Sequence, residues 1–211
     1  SYSDQKIDGY ELLSVATVDN RGFNLPCTEP EEKDGITYGN SLTSDVKVRR
    51  AINLAIDREE MIENVLNGYG TVAYSVCDKM PWYNEEAVTE YDLDAAKALM
   101  EEAGWIEGDD GIREKDGEKA ELTIMFSNGD SVRQALAEDS ANQLRELGIE
   151  VTTSGVGWDT AYDQAQSEPL IWGGGAHSPM ELYNIYHTME ETETAEYSPY
   201  ANETVDLSLI H

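Results

Sequence analysis

From Leu122 to Trp172 the chain alternates strand and helix signals with very short connections, and that order leaves few folds open. Leu122 to Phe126 is an apolar strand, and Asn128-Gly129-Asp130 then caps a helix running from about Ser131 to Leu147. Gly148 ends that helix and Ile149 to Thr153 makes the next strand. A second helix from about Trp158 to Gln166 leads to a third strand, Pro169 to Trp172. A β-α-β-α-β order with short links predicts parallel strands joined by right-handed helical crossovers. Ligands on such sheets bind outside the carboxyl ends of the strands. That rule points to Ser127 to Asp130 and to Trp172 to Pro179 (WGGGAHSP), of which the second is the richer loop.

Upstream, Asp45 to Gly70 predicts two consecutive helices. Val48, Ala51, Ile52, Ala55 and Ile56 form one apolar stripe, with Ser44 or Asp45 as the cap. Met61, Ile62, Val65 and Leu66 continue an apolar face until Asn67-Gly68 stops the chain in a left-handed turn. A third helix spans Tyr91 to Gly104, with Asp92 as its cap and Leu93, Ala96, Leu99, Met100 and Ala103 as its stripe. Asp116-Gly117 marks a hairpin turn, and Tyr10 to Val18 reads as a strand. Asp19 to Thr43 and Thr71 to Glu90 read as irregular.

The bulk numbers bound the function. With 40% hydrophobic and 27% charged residues among 211, the chain is an ordinary globular domain with no apolar run of membrane-spanning length. Its 43 acidic residues against 14 basic ones give a net charge of −29, which argues against nucleic-acid phosphates and anionic lipid as partners. Glu190 to Glu196 is the one dense acidic run and reads as a solvated face. Cys27 and Cys77 are too far apart in sequence for a C-x-x-C motif; one disulfide or two thiols both fit.

The segment D-x-x-V-R-x-A-x-x-x-A-I-D-R from Asp45 to Arg58, followed by V-L-x-G-x-G from Val65 to Gly70, resembles the family 5 extracellular solute-binding proteins. These are the peptide- and nickel-type receptors of ABC importers. Tyr91 to Trp105, the Gly111 to Gly117 hairpin, Leu144 to Val151, Gly157-Trp158, Trp172 to Tyr186 and Asn202 to Asp206 resemble further family blocks in the same order. The resemblance implies an α/β fold: a periplasmic-binding-protein type II-like lobe with a mixed, largely parallel sheet flanked by helices. Members are longer than this chain, so residues 1–211 are expected to be a single lobe presenting half of a binding cleft. The helix-like start at Ala201 to His211 is consistent with a chain cut short.

The resemblance implies a non-enzymatic receptor, outside the cell as a surface lipoprotein or in the periplasm. It would act as a monomer without a cofactor, passing an oligopeptide or a nickel or metal chelate to ABC permease subunits. The glycines at 173 to 175 let a backbone approach a ligand or bend tightly, Trp172 offers an aromatic wall, and His177 is a donor, an acceptor or a metal ligand. The resemblance implies that this loop faces the cleft and that Asn24, in Arg21 to Pro26, approaches ligand. The ligand-binding candidates are therefore Trp172, Gly173, Gly174, His177 and Asn24, with His177 the metal candidate; His187 is expected to pack on the following helix. Packing of Trp172 in a core and turn-capping by Asn24 are the competing readings.

Arg49, four residues after Asp45, is placed for a helical ion pair, whereas Arg50 and Arg58 have no acid three or four residues away; none receives a site role. No G-x-S-x-G, H-E-x-x-H or G-x-x-x-x-G-K-[ST] motif is present. The alternative from another class is a secreted acid hydrolase using a carboxylate pair, which so acidic a sequence neither singles out nor excludes.

Overall fold

An aspartate opens each of the four main helices. The computed structural model describes residues 8–186 except 12 and 176. The acidic run at 190–196, His187 and the stretches at 201–211 and 202–206 lie outside the described residues. Asp45 accepts from the Lys47 N–H and starts α1 (Val46–Ala55), and Asp57 accepts from the Glu60 N–H and starts α2 (Arg58–Leu66). Asp92 caps α3 (Leu93–Glu102) through the Ala95 N–H, and Asp130 caps α4 (Ser131–Glu146) through those of Val132 and Arg133. A short carboxylate satisfies N–H groups that have no partner within the helix and lies against the positive end of its dipole. The stops are as local as the starts: Asn67 is left-handed after α2, and Gly104 and Gly148 have φ of +89° and +88° after α3 and α4.

The strands and the remaining helices, in chain order, are β1 (Asn20–Phe23), β2 (Glu31–Lys33), β3 (Ile36–Tyr38), β4 (Ile106–Glu107), β5 (Arg113–Lys115), β6 (Glu118–Lys119), β7 (Glu121–Ser127), β8 (Glu150–Val156), α5 (Trp158–Gln164), β9 (Ile171–Gly174) and α6 (Pro179–Tyr186). β7 and β8 pair in parallel over seven residues, from Glu121 opposite Glu150 to Ser127 opposite Val156. A parallel bridge between Met125 and Leu170 joins β9 to β7, and β1 runs antiparallel along the other side of β9. The resulting order is β8-β7-β9-β1, a mixed and largely parallel sheet.

Both faces of this sheet are covered. Leu122, Ile124 and Phe126 of β7, Val151 and Ile171 face α4, which packs on α1 and α2, while α3 packs on α1 in the same core. The α1 stripe of Val48, Ala51, Ile52 and Ala55 is buried there, as are Ala96 and Met100 of α3. Each large aliphatic side chain so buried contributes about 1.5–3 kcal/mol relative to exposure. On the opposite face Met125, Leu170 and Ala161 of α5 form a smaller cluster with Trp172 and Val156 at its margin.

Among the described residues, one charged side chain lies inside the fold. Arg113 of β5 is 1% exposed. Its Nε donates to the Leu147 carbonyl at 2.8 Å and its Nη1 to the Trp105 carbonyl at 2.9 Å. A single guanidinium thus satisfies carbonyls at the ends of both α3 and α4.

Three local expectations differ from the structure. The described residues of 10–18 form no strand, and Tyr10, Leu13 and Val15 are exposed; β-rich residues need a partner strand to become one. The region expected to be irregular holds β1 and the β2–β3 hairpin, whose Asp34-Gly35 turn has both residues left-handed. Asp45 and Arg49 form no ion pair: Asp45 caps its helix while Arg49 Nη1 donates to the carbonyls of Thr43 and Ser44, both at 2.7 Å. Cys27 and Cys77 are not joined in a disulfide, so of the two alternatives the thiol form is the one present.

Candidate functional site

The carboxyl ends of β7, β8 and β9 lie along one edge of the sheet, where the chain leaves through Ser127 to Asp130, Val156 to Trp158 and Gly174 to His177. Three aromatic rings meet there. The Trp158 and Trp172 rings are 5.6 Å apart and cross at 89°, and Tyr162 stands 5.6 Å from Trp172 at 71° and 6.1 Å from Trp158. Edge-to-face geometry of this kind adds about 0.5–1.5 kcal/mol per pair beyond area burial. Trp172 is the half-buried member, seated on Met125 and Leu170, while Trp158 and Tyr162 are exposed.

Asp130 ties this cluster to the start of α4. Its carboxylate pairs with the Arg133 guanidinium, which lies 5.6 Å from the centre of the Trp158 ring, within range of a cation–π contact. The backbone N–H of Arg133 holds the Asp130 carboxyl below the usual carboxylate range; burial opposes this, and the Arg133 side chain and the Val132 N–H add to it. Trp158 and Tyr162 escaped the sequence reading as site residues. Their signal is a tryptophan at the first position of a helix with a tyrosine four residues on, which puts both rings on one face.

The three glycines after Trp172 are not equivalent. A Cβ on Gly173 would lie 2.6 Å from Arg21 Cδ and from the Asn20 carbonyl oxygen, and one on Gly175 would lie 2.7 Å from Val18 Cγ2. The chain entering β1 therefore occupies the side-chain space of both. Gly174 faces open space. His177 is exposed, and its backbone N–H donates to the Gly175 carbonyl at 3.0 Å. Among the described residues no group of three or more His, Cys, Asp or Glu is placed to hold a metal ion.

Asn24 lies elsewhere. Phe23 pairs with Ile171 and Asn20 with Gly174, so Asn24 sits at the amino end of β9. At roughly 3.3 Å per residue that is about 13 Å along the strand from Gly174. Its amide is used on both sides: Nδ2 donates to the Ala165 carbonyl at 3.2 Å and Oδ1 accepts from the Leu170 N–H at 3.1 Å. The structure thus gathers Trp172, Gly173, Gly174 and His177 at one edge and sets Asn24 apart.

Beyond β1 a half-open cleft of about 1290 Å³ lies between residues 14–23, α1, α2, the segment 68–79 and the first turns of α4. Asn20 Nδ2 reaches the Val76 carbonyl at 3.3 Å and links β1 to that segment. Arg21, Arg49, Arg50 and Arg58 all line this space, although they are spread over 38 positions of sequence. Arg58 lies over the Tyr74 ring at 5.6 Å and donates to the Asn53 and Ile56 carbonyls.

A helix-flanked, largely parallel sheet of this order is the architecture of a lobe of a type II periplasmic binding protein. The model of bacterial extracellular solute-binding proteins, family 5, matches residues 8–195, and the chain belongs to that family. It is 31% identical over 211 residues to Protein XP55 of Streptomyces lividans, covering 97% of this chain and 36% of that one. It is 32% identical over 177 residues to the oligopeptide-binding protein AppA of Bacillus subtilis, covering 79% and 33%. In structure it superposes on NikZ of Campylobacter jejuni in complex with Ni(L-His) with a TM-score of 0.81 at 22% identity, covering 99% of this chain and 41% of that one. The chain therefore spans about a third of the length of the curated relatives it matches.

Proposed function

We propose that this chain is one ligand-contacting lobe of a receptor that captures an oligopeptide, or a nickel or other metal chelate, outside the cell and delivers it to the permease of an ABC importer. The receptor acts as a monomer, held at the cell surface as a lipoprotein or moving in the periplasm. The observation that carries this reading is the triangle of Trp158, Tyr162 and Trp172 at the carboxyl edge of a parallel sheet, where ligands of such sheets bind. AppA of Bacillus subtilis supports the peptide branch and NikZ the chelate branch.

In this reading the aromatic rings form the wall, Gly174 leaves the backbone open to ligand, and His177 supplies a polar or metal-directed group from the same loop. Gly173 lets β1 approach, and Asn24 sets β9 in register. Binding energy comes from the rings and a few hydrogen bonds once a second lobe closes over them.

Native mass spectrometry of the full-length protein purified from its host, before any ligand is added, tests the proposal. A co-purified peptide or metal chelate, lost when Trp158 and Trp172 are both replaced by Ala, is the expected result. A protein that carries no ligand and takes up neither a random peptide pool nor nickel(II)–L-histidine overturns it. The half-cleft idea has its own test: residues 1–211 alone bind poorly by calorimetry, and affinity equal to that of the full-length protein refutes it.

A further inference from the structure

Arg133 stands where helix electrostatics disfavours it. It is the third residue of α4, in a first turn with no acidic residue of its own, against the positive end of the helix dipole. Arg145, in the last turn of the same helix, is where the dipole favours a cation. Natural sequences that break a local rule of this kind tend to do so at functional sites. Arg49, Arg58 and Arg113 each fasten backbone carbonyls. The Arg133 guanidinium instead bonds the Asp130 carboxylate and lies over the Trp158 ring.

The two oxygens of Asp130 divide the work. Oδ1 accepts from the backbone N–H groups of Val132 at 3.1 Å and Arg133 at 2.9 Å, which caps the helix. Oδ2 takes the guanidinium. Asp130 is itself set by the turn from Ser127, whose carbonyl accepts from the Asp130 N–H at 3.2 Å. The Arg133 side chain is 15% exposed, so its charge lies largely out of water, where a cation–π contact is stronger than at the surface. Trp158 gains from such a support. It is 40% exposed, it is the first residue of α5, and Gly157 before it contributes no side-chain cap. Tyr162 touches the ring from α5 and Trp172 from β9; Arg133 adds a contact from α4.

We propose that Arg133 is a positioning residue: held by Asp130, its guanidinium fixes the Trp158 ring in the orientation that the ligand meets, and it acts on the ligand through that ring. This rests on the receptor reading above and adds to it how one wall of the site is held before the ligand arrives. A ring fixed beforehand does not have to be ordered on binding, which removes part of the cost of association.

The test uses the full-length protein labelled with fluorotryptophan, in which the Trp158 resonance is the one missing from Trp158→Phe. Asp130→Asn keeps an oxygen for the cap, since asparagine caps helices about as well as aspartate, but it turns an N–H toward the guanidinium. Arg133→Met keeps most of the side-chain length without the charge. Both are expected to shift and broaden the Trp158 resonance. Both are also expected to lower capture of a random peptide pool or of nickel(II)–L-histidine, read by native mass spectrometry, about two- to fivefold. In a Trp158→Ala background Arg133→Met lowers capture no further, because the ring it acts through has gone. A residue that serves only the helix, or one that bonds the ligand directly, lowers capture by the same factor in both backgrounds. That result overturns the proposal, as does a Trp158 resonance unmoved in both Asp130→Asn and Arg133→Met; the receptor reading survives either. A full-length protein that captures neither probe removes the receptor reading, and the fluorine resonance alone then decides whether Arg133 holds the ring.

Discussion

Arg113→Met removes the one buried charge among the described residues while keeping most of its apolar volume. Two bonds disappear, to the Leu147 carbonyl at 2.8 Å and the Trp105 carbonyl at 2.9 Å. Hydrogen bonds from a charged donor are worth about 1.5–3 kcal/mol each, and the two stranded carbonyls add to the loss. Against this, the guanidinium's own desolvation penalty is relieved. The net expectation is a loss of about 3–4 kcal/mol, or a melting temperature lower by roughly 6–16 °C for a domain of this size. Urea and thermal unfolding followed by circular dichroism measure it. Glu101 is the control: its carboxylate is 3.9 Å from Arg113 Nη1 and 62% exposed, so Glu101→Gln changes stability by less than about 0.5 kcal/mol. A loss under about 1 kcal/mol in Arg113→Met, or a Glu101→Gln effect as large as that of Arg113→Met, refutes the reasoning, because the residue would then act as half of an ion pair rather than as a clamp on two helix ends.

Gly173→Ala forces its Cβ against the Asn20 carbonyl and weakens β1 by about 1–3 kcal/mol, whereas Gly174→Ala, one residue on, changes stability by less than about 0.5 kcal/mol; chemical denaturation separates them. Glu168 accepts from the Thr123 N–H at 2.9 Å, yet burial raises its carboxyl pKa above the usual value, with that hydrogen bond opposing the shift. A folded pKa above the unfolded one means that the native state binds more protons, so this group favours folding as pH falls through its folded pKa. Glu168→Gln is accordingly expected to stabilise the protein at neutral pH and to remove the gain in stability that this group gives as pH falls; a neutral-pH loss measured by urea melts speaks against this. Asn24→Ala leaves the Leu170 N–H and the Ala165 carbonyl without partners and lowers stability by about 2 kcal/mol, which a thermal melt registers.

Helices were legible because their instructions are short-range. Asp92 and its Ala95 N–H, or Asn67 with the left-handed turn it adopts, lie within one helical turn of each other. The β7-α4-β8-α5-β9 order was legible for the same reason, each crossover being bounded by its own cap and glycine. Strand identity at the N-terminal side was not: Tyr10 to Val18 has the composition of a strand, but the residues that pair with β9 are Asn20 to Phe23, and only the partner decides that. The site divides the same way. Trp172 and its glycines stood out in sequence, although two of those glycines answer to β1. Arg49, Arg50 and Arg58 were judged against neighbours three and four residues away, whereas their common surroundings come from residues 14–23 and 68–79.

Asn24 carries a kinetic consequence. Its two hydrogen bonds span 141 and 146 residues, so the loop they close is among the longest this chain can form. Closing a loop of that size opposes folding by about 4 kcal/mol of chain entropy beyond a constant term. β7, α4 and β8, linked by short connections, assemble without that penalty and offer β9 a ready edge. β1 then docks last, and in native-state hydrogen exchange its amides open at lower free energy than those of β7. The strand that divides the aromatic edge from the arginine-lined cleft is thus the one the protein can release while the rest of the sheet stays folded.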